Sequence, residues 1–183
     1  GLKSSGANVI NIGMGPTPMT YFADYHLNTN AAVMVTGSHN PTEYNGFKMV
    51  LDKHSFFSDD IKKLQSIVES NKLKKDEGTI IQKTIIDEYI ERNIQNISIN
   101  KKIKIAWDIA NGAMGVVIQK LITKLEKTEN ILINESVDGS FPNHHPDPTV
   151  PENMMQLIDT VIKNNCDVGF AFDGDGDRLG VVD

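Results

Sequence analysis

Val168-Gly169-Phe170-Ala171-Phe172-Asp173-Gly174-Asp175-Gly176-Asp177-Arg178-Leu179-Gly180-Val181-Val182 is an acidic loop held between two apolar runs. The runs read as buried core strands, and the loop joining them carries three carboxylates at alternate positions. In an extended strand Asp173 and Asp177 would lie about 13 Å apart, from a rise of ~3.3 Å per residue. Two oxygens on one Mg²⁺ can be no more than about 4 Å apart, since each bond is ~2.1 Å. A helix is no better, because residues two apart point to opposite sides. The segment must therefore curl, with Gly174 and Gly176 supplying the backbone freedom. Three like charges this close repel unless a cation sits among them, and a hard divalent metal is the natural candidate. A calcium loop of the helix-flanked type needs Gly where this chain has Arg178, and the flanking strands argue against it as well.

A second constellation lies upstream. Ala31 to Val35 is a short apolar strand candidate ending in Thr36-Gly37-Ser38-His39-Asn40-Pro41. Turn-prone residues at the C-terminal end of a strand are where α/β folds place ligand chemistry. Ser38 is a possible nucleophile, with His39 beside it and Lys48 a few residues on in Asn45-Gly46-Phe47-Lys48. Adjacent residues rarely present both side chains to one atom, so a hydrolytic Ser38–His39 dyad is not expected. No G-x-S-x-G elbow is present either.

Around these loops the chain alternates strand and helix, the rhythm of a parallel α/β sheet. Val9 to Ile12 predicts a strand, and Pro18 opens a helix to about Asn28. Gly46 to Leu51 predicts a strand; Asp59 to Ser70 predicts a helix with Ile61, Leu64, Ile67 and Val68 on one stripe and Ser58 as its N-cap. Asn71 to Gly78 is a charged surface turn, and Thr79-Ile80-Ile81 a further strand. Ile86, Tyr89, Ile90, Ile94 and Ile97 line one helical face, read as a hinge into a second domain. There Ile103–Trp107, Ile131–Ile133 and Asp167–Asp173 are strands, Val116–Leu125 and Glu152–Asn164 helices, and Asn134–Val150 a long Pro-rich loop. His144 and His145 are read as loop residues, not metal ligands.

The sequence is 39% hydrophobic and 23% charged, ordinary for a globular protein, with a net charge of −6 that argues against nucleic acid as a partner. Cys166 is the single cysteine and reads as a packing residue. No apolar run approaches the ~20 residues of a membrane helix, and no secretory leader is read. A cytoplasmic setting is expected, and Gly1, not being an initiator, suggests that the natural N-terminus precedes it.

Taken together, Thr36-Gly37-Ser38-His39-Asn40-Pro41, Asn45-Gly46-Phe47-Lys48, Asp138-Gly139-Ser140-Phe141-Pro142-Asn143-His144-His145-Pro146-Asp147-Pro148 and Asp173 to Arg178 closely resemble the α-D-phosphohexomutase family. Gly15-Pro16-Thr17-Pro18-Met19 resembles the family's Pro-Thr-Pro turn, and the whole set resembles the phosphomannomutase/phosphoglucomutase branch. The resemblance implies two successive mixed or parallel three-layer α/β domains: residues 1–84 as the C-terminal part of domain 1 with the phosphoserine loop, and 85–183 as domain 2 with the metal loop. Domains 3 and 4 of such an enzyme would be absent. It also implies a Mg²⁺-dependent mutase for mannose or glucose phosphates, running through a phosphoserine and a hexose bisphosphate. Ser38 would carry the phosphoryl group and, with Asp173, Asp175 and Asp177, bind the metal. Lys48 would act as a positive charge or proton shuttle, His39 as a helper, and Arg178 would bind substrate with its planar fork. A phosphoglucosamine mutase is an alternative that the Thr36-Gly37 opening disfavours. A second alternative is an inactive metal- or sugar-phosphate-binding fragment, and the piece alone is expected to be inactive, with little holding its domains at working distance.

Overall fold

The computed structural model describes all residues, Gly1–Asp183. Its later half is built on β6 (Ile103–Asp108), which pairs in parallel with β7 (Thr128–Ile133) on one side and β8 (Val168–Phe172) on the other. β9 (Leu179–Val182) closes the order β7-β6-β8-β9 by running antiparallel to β8. Successive side chains of a strand point to opposite faces, so β6 serves two cores at once. Ile105 and Trp107 pack with Ile118 of α4 (Gly115–Thr123), while Ala106 packs with Leu157 and Val161 of α5 (Met155–Asn164). A 3₁₀ turn over Pro151–Met154 leads into α5, and Asn165, at a left-handed φ of 50°, ends it. This is an α/β/α layering. The expected buried strand at the end of the loop is corrected: β9 lies at the sheet edge, half-buried at Gly180 and Val182 but exposed at Leu179 and Val181. Only one of its faces meets the sheet's helix layer.

The earlier half holds two short sheets. β1 (Val9–Asn11) pairs in parallel with β5 (Ile80–Gln82), and β2 (Ala31–Val35), β3 (Phe47–Leu51) and β4 (His54–Phe56) form an antiparallel meander. Asp52 and Lys53, both at positive φ, make the tight two-residue turn between β3 and β4. β1 and β2 are not hydrogen-bonded to each other; a cavity of about 710 Å³ lined by residues of both separates them. α1 (Thr17–His26) starts at Pro16 and buries Met19 and Ala23.

Helix α2 (Asp59–Glu69) forms where the spacing predicts, but none of its residues is buried. Ile61, Leu64, Ile67 and Val68 are exposed, so this stripe is not part of a core in the chain. Ser58 is also corrected: at φ 52° it departs from the extended backbone of a capping residue, and it makes no capping hydrogen bond.

The two halves are joined more firmly than a hinge. Ile85 precedes α3 (Ile86–Ile94), whose Tyr89 and Ile90 share one core with Met19 and Ala23 of α1 and Val117 of α4. Ile85 and Ile90 are essentially inaccessible, and ion pairs Lys120–Asp87 (2.9 Å) and Lys124–Glu91 (2.7 Å) run along the α3–α4 seam. The expectation that little holds the halves together is therefore overturned: apolar side chains from both sides bury against α3. Ile97 falls beyond the helix and is exposed. No helix is long and apolar enough to cross a membrane.

Candidate active site

The serine loop leaves β2 at Val35. Thr36 donates its N–H to Gly46, and its side-chain oxygen accepts the Ser38 N–H at 2.7 Å, which folds the loop back on itself. A Cβ at Gly37 would lie 2.8 Å from the Tyr44 carbonyl oxygen, so the turn needs glycine there. Ser38 adopts φ +54°, a left-handed conformation that non-glycine residues adopt uncommonly. In that conformation Ser38 Oγ and His39 Nδ1 meet at 3.2 Å, a contact that neighbouring side chains rarely make.

The acidic loop curls as the glycines predict, with Gly176 at φ +71°. Asp173 Oδ1 accepts the N–H groups of Asp177 (2.9 Å) and Arg178 (3.0 Å), closing the loop around its own first carboxylate. Asp175 is anchored from the other half of the chain. Its carbonyl accepts the Thr17 N–H at 2.8 Å, and its Oδ2 accepts from Thr17 Oγ1 (2.7 Å), Thr36 Oγ1 (3.0 Å) and Lys48 Nζ (2.7 Å). Lys48 Nζ also donates to Asp177 Oδ2 at 2.5 Å. Ser38 Oγ lies 3.1 Å from Asp173 Oδ2 and 3.2 Å from Asp175 Oδ1, one hydroxyl proton facing two acceptors. Ser38, His39, Lys48 and the three aspartates are thus brought to one place. Arg178 faces elsewhere: its guanidinium reaches the Asp147 carboxylate at 3.4 Å.

Each charge carries the mark of its surroundings. Burial pushes the Asp173 carboxyl up, and the negative charges of Asp175 and Asp177 push it further. Asp175 suffers the same burial, yet hydrogen bonds from Lys48, Thr17 and Thr36 and the Lys48 charge outweigh it and hold its carboxyl down. Burial pulls Lys48 down, but its bonds to Asp175 and Asp177 leave it raised, so the ammonium is charged at neutral pH. One oxygen from each of the three aspartates lies within 4.8 Å of the others, and Asp173 and Asp175 are buried. Two buried carboxylates and a third beside them, served by a single ammonium, form an all-oxygen set suited to a hard divalent cation. A seryl oxygen stands at its edge. No other group of three or more such residues occurs in the chain, and His144 and His145 are not in it.

Several supports of the site escaped the sequence reading. Thr17 and Thr36 lie within stretches singled out as motifs, yet nothing local shows that both would reach Asp175. Gly112 lies under the loop, where a Cβ would come 2.7 Å from the Gly174 carbonyl oxygen, and Ala113 donates its N–H to that oxygen. Burial pushes Asp147 up, but hydrogen bonds from Thr149 and the charges of Arg178 and His39 leave its carboxyl lowered overall. Asn111 turned out to organise the long loop, donating to the Ser136 carbonyl and accepting from Asn143. Packing residue Cys166 lies against the α5 core, and burial raises its thiol.

An α/β/α unit thus presents its acidic loop to a strand-end serine from a neighbouring unit, and comparison with known proteins shows the family in which this arrangement falls. The model described as phosphoglucomutase/phosphomannomutase, alpha/beta/alpha domain II, matches residues 87–183, and that of domain I matches residues 1–75. The chain belongs to the phosphoglucomutase/phosphomannomutase family. It is 43% identical over its whole length to a phosphomannomutase/phosphoglucomutase of Pseudomonas putida and 42% identical to a phosphoglucomutase of Neisseria gonorrhoeae. It covers 39% of the first and 40% of the second, so the chain spans about two fifths of the length of the curated relatives it matches. A crystal structure of a phosphoglucomutase/phosphomannomutase family protein from Burkholderia thailandensis superimposes with a TM-score of 0.92 at 38% identity, over all of this chain and 41% of that one.

Proposed function

We propose that this chain is the phosphoserine and metal portion of a mutase that interconverts hexose 6-phosphates and hexose 1-phosphates, with mannose and glucose as the sugars. The observation that carries this reading is the placement of Ser38 Oγ 3.1 and 3.2 Å from two buried carboxylates of the acidic loop. Ser38 carries a phosphoryl group, and Asp173, Asp175 and Asp177 beside it would hold Mg²⁺. A bound Mg²⁺ supplies positive charge that offsets the charge on the transferring group, the main demand of phosphoryl transfer.

In the transfer step a sugar hydroxyl forms a new P–O bond while the bond from phosphorus to Ser38 Oγ breaks. The sugar hydroxyl gives up its proton and Ser38 Oγ takes one up; His39, whose Nδ1 stands 3.2 Å from that seryl oxygen, is placed to supply the proton that Oγ receives. Lys48, whose Nζ donates to Asp175 and Asp177, acts near the phosphoryl group as a positive charge or as a proton shuttle. The product of this step is a hexose bisphosphate. It turns over in the site and returns its other phosphate to Ser38. Arg178, held by Asp147 at the end of the acidic loop, binds substrate with its planar guanidinium. Substrate is a hexose phosphate, with no nucleic acid or membrane partner, and the setting is cytoplasmic.

The test is a mutase assay on the enzyme that carries this chain, with mannose 1-phosphate and glucose 1-phosphate, together with mass spectrometry of the purified protein. Phosphate on Ser38, and loss of turnover by several orders of magnitude in Ser38→Ala, are expected because the covalent step is removed. Phosphate found only on other serines, or full activity in Ser38→Ala, would overturn the assignment.

A further inference from the structure

His144 sits in the long loop between β7 and α5, away from the reacting groups, yet both of its ring nitrogens face acceptors. Nδ1 lies 2.9 Å from the His145 carbonyl oxygen, and Nε2 lies 2.9 Å from Asp108 Oδ2. A carbonyl only accepts, so Nδ1 carries a proton; an ionised carboxylate only accepts, so Nε2 carries one too. The geometry calls for an imidazolium. Asp108, at the end of β6, is inaccessible to solvent, and its other oxygen accepts from the Ala110 N–H and from Asn134.

The next residues of the loop tie this clamp to the candidate site. The His145 carbonyl also accepts the Asp147 N–H, the Pro146 carbonyl accepts the Gly174 N–H at 3.2 Å, and Asp147 holds Arg178. Gly174 lies between Asp173 and Asp175, and a Cβ on it would come 2.3 Å from the Ser38 carbonyl oxygen. The acidic loop therefore rests against the serine loop on one side and hangs from Pro146 on the other. We propose that His144 is a positioning residue: as a doubly protonated clamp between Asp108 and the His145 carbonyl, it sets Pro146 and through it the register of the acidic loop against Ser38.

Asp108 is the one charged group acting on the ring. Asn134, from the end of β7, and Gln156 of α5, which bonds Asn134, are neutral. The Asp108 hydrogen bond raises the His144 pKa; burial opposes it, and the His145 carbonyl adds to it. Deprotonation leaves one ring nitrogen with a lone pair facing an acceptor and opens the clamp.

This inference rests on the phosphoryl-transfer reading, and the two are separable. Nitrogen NMR of the imidazole in the 183-residue chain is expected to show both His144 nitrogens protonated near neutral pH, titrating above the ordinary 6.5 of a free histidine. In the enzyme, kcat is expected to fall at alkaline pH with the midpoint that NMR gives for His144. His144→Gln is expected to lower kcat about 10-fold with little change in KM and to lose that alkaline limb. His144→Arg, permanently charged, is expected to recover part of the rate and also lack the limb. A neutral His144 ring near neutral pH in the chain overturns the clamp whatever the activity of the enzyme. An alkaline limb unchanged in both variants overturns the positioning role. A wild-type enzyme without hexose-phosphate mutase activity overturns the functional reading and leaves the NMR result to decide the clamp.

Discussion

The two halves of this chain share an alternation of strand and helix but not its consequences. From β6 onward, a four-stranded sheet has helices on both faces, and its strands bury side chains alternately into each core. From β1 to β5, the strands fall into two small sheets separated by a cavity, and a whole helix, α2, buries nothing. Amphipathic spacing is necessary for a core helix but does not supply the surface it must cover. The contrast also locates the chemistry: the well-packed half presents the acidic loop, and the looser half reaches it through Thr17, Thr36, Ser38 and Lys48.

The largest effect is expected where the halves meet at Asp175. Asp175→Asn removes a charge that faces Lys48 and weakens the anchor of both threonines. Turnover in the enzyme is expected to drop by several orders of magnitude, with weaker Mg²⁺ binding seen by titration calorimetry. Wild-type Mg²⁺ affinity and turnover in this variant would remove the acidic loop from the mechanism.

Next comes the seam. Ile90→Ala deletes an almost fully buried side chain from the core shared by α1, α3 and α4, and is expected to cost about 2–5 kcal/mol in urea unfolding. In the same protein, amide exchange is expected to be slow in β6 and β8 and fast throughout α2. Equal protection of α2 and β6 would dissolve the contrast between the halves.

A smaller effect is expected from pH. The His144 pKa is raised by its hydrogen bond to Asp108, against the opposing effect of burial. A group whose folded pKa lies above its unfolded value stabilises fully below the unfolded pKa, and that contribution is lost as pH rises through the folded one. Stability should therefore fall as pH climbs above 6.5 through the raised value. His144→Gln should flatten that slope in unfolding curves taken across the range. An unaltered slope would show that another group is responsible.

The smallest effect belongs to α2. Ile61→Ala leaves an exposed position, and is expected to change stability by about 0.5 kcal/mol or less. A loss as large as that of Ile90→Ala would mean that α2 is covered in solution.

Much of this was legible in the chain itself. The curl of Asp173 to Asp177 comes from carboxylate spacing and two glycines, because no regular element brings alternate residues onto one ion. The strands from Ile103, Ile131 and Val168 and the helices between them come from apolar period and Pro placement, and each lies where its residues predict it, to within a few positions. Local geometry did not announce the left-handed φ of Ser38, at which its Oγ meets His39 Nδ1, and the Ser58 cap it suggested does not form.

What only the tertiary structure decided is what touches what. Thr17 and Thr36 reach Asp175 across 158 and 139 residues of chain, and such contacts leave no periodic trace in a sequence. The exposure of the α2 stripe, the edge position of β9 and the role of α3 as a packed seam were equally invisible. Side-chain period is a property of one element, whereas burial depends on the surface that another element brings to it. Residue types and spacing singled out Asp173, Asp175, Asp177 and Ser38 as candidate site residues; that Ser38 reaches Asp173 and Asp175, and that Lys48 reaches Asp175 and Asp177, was settled by the packing of two halves around α3.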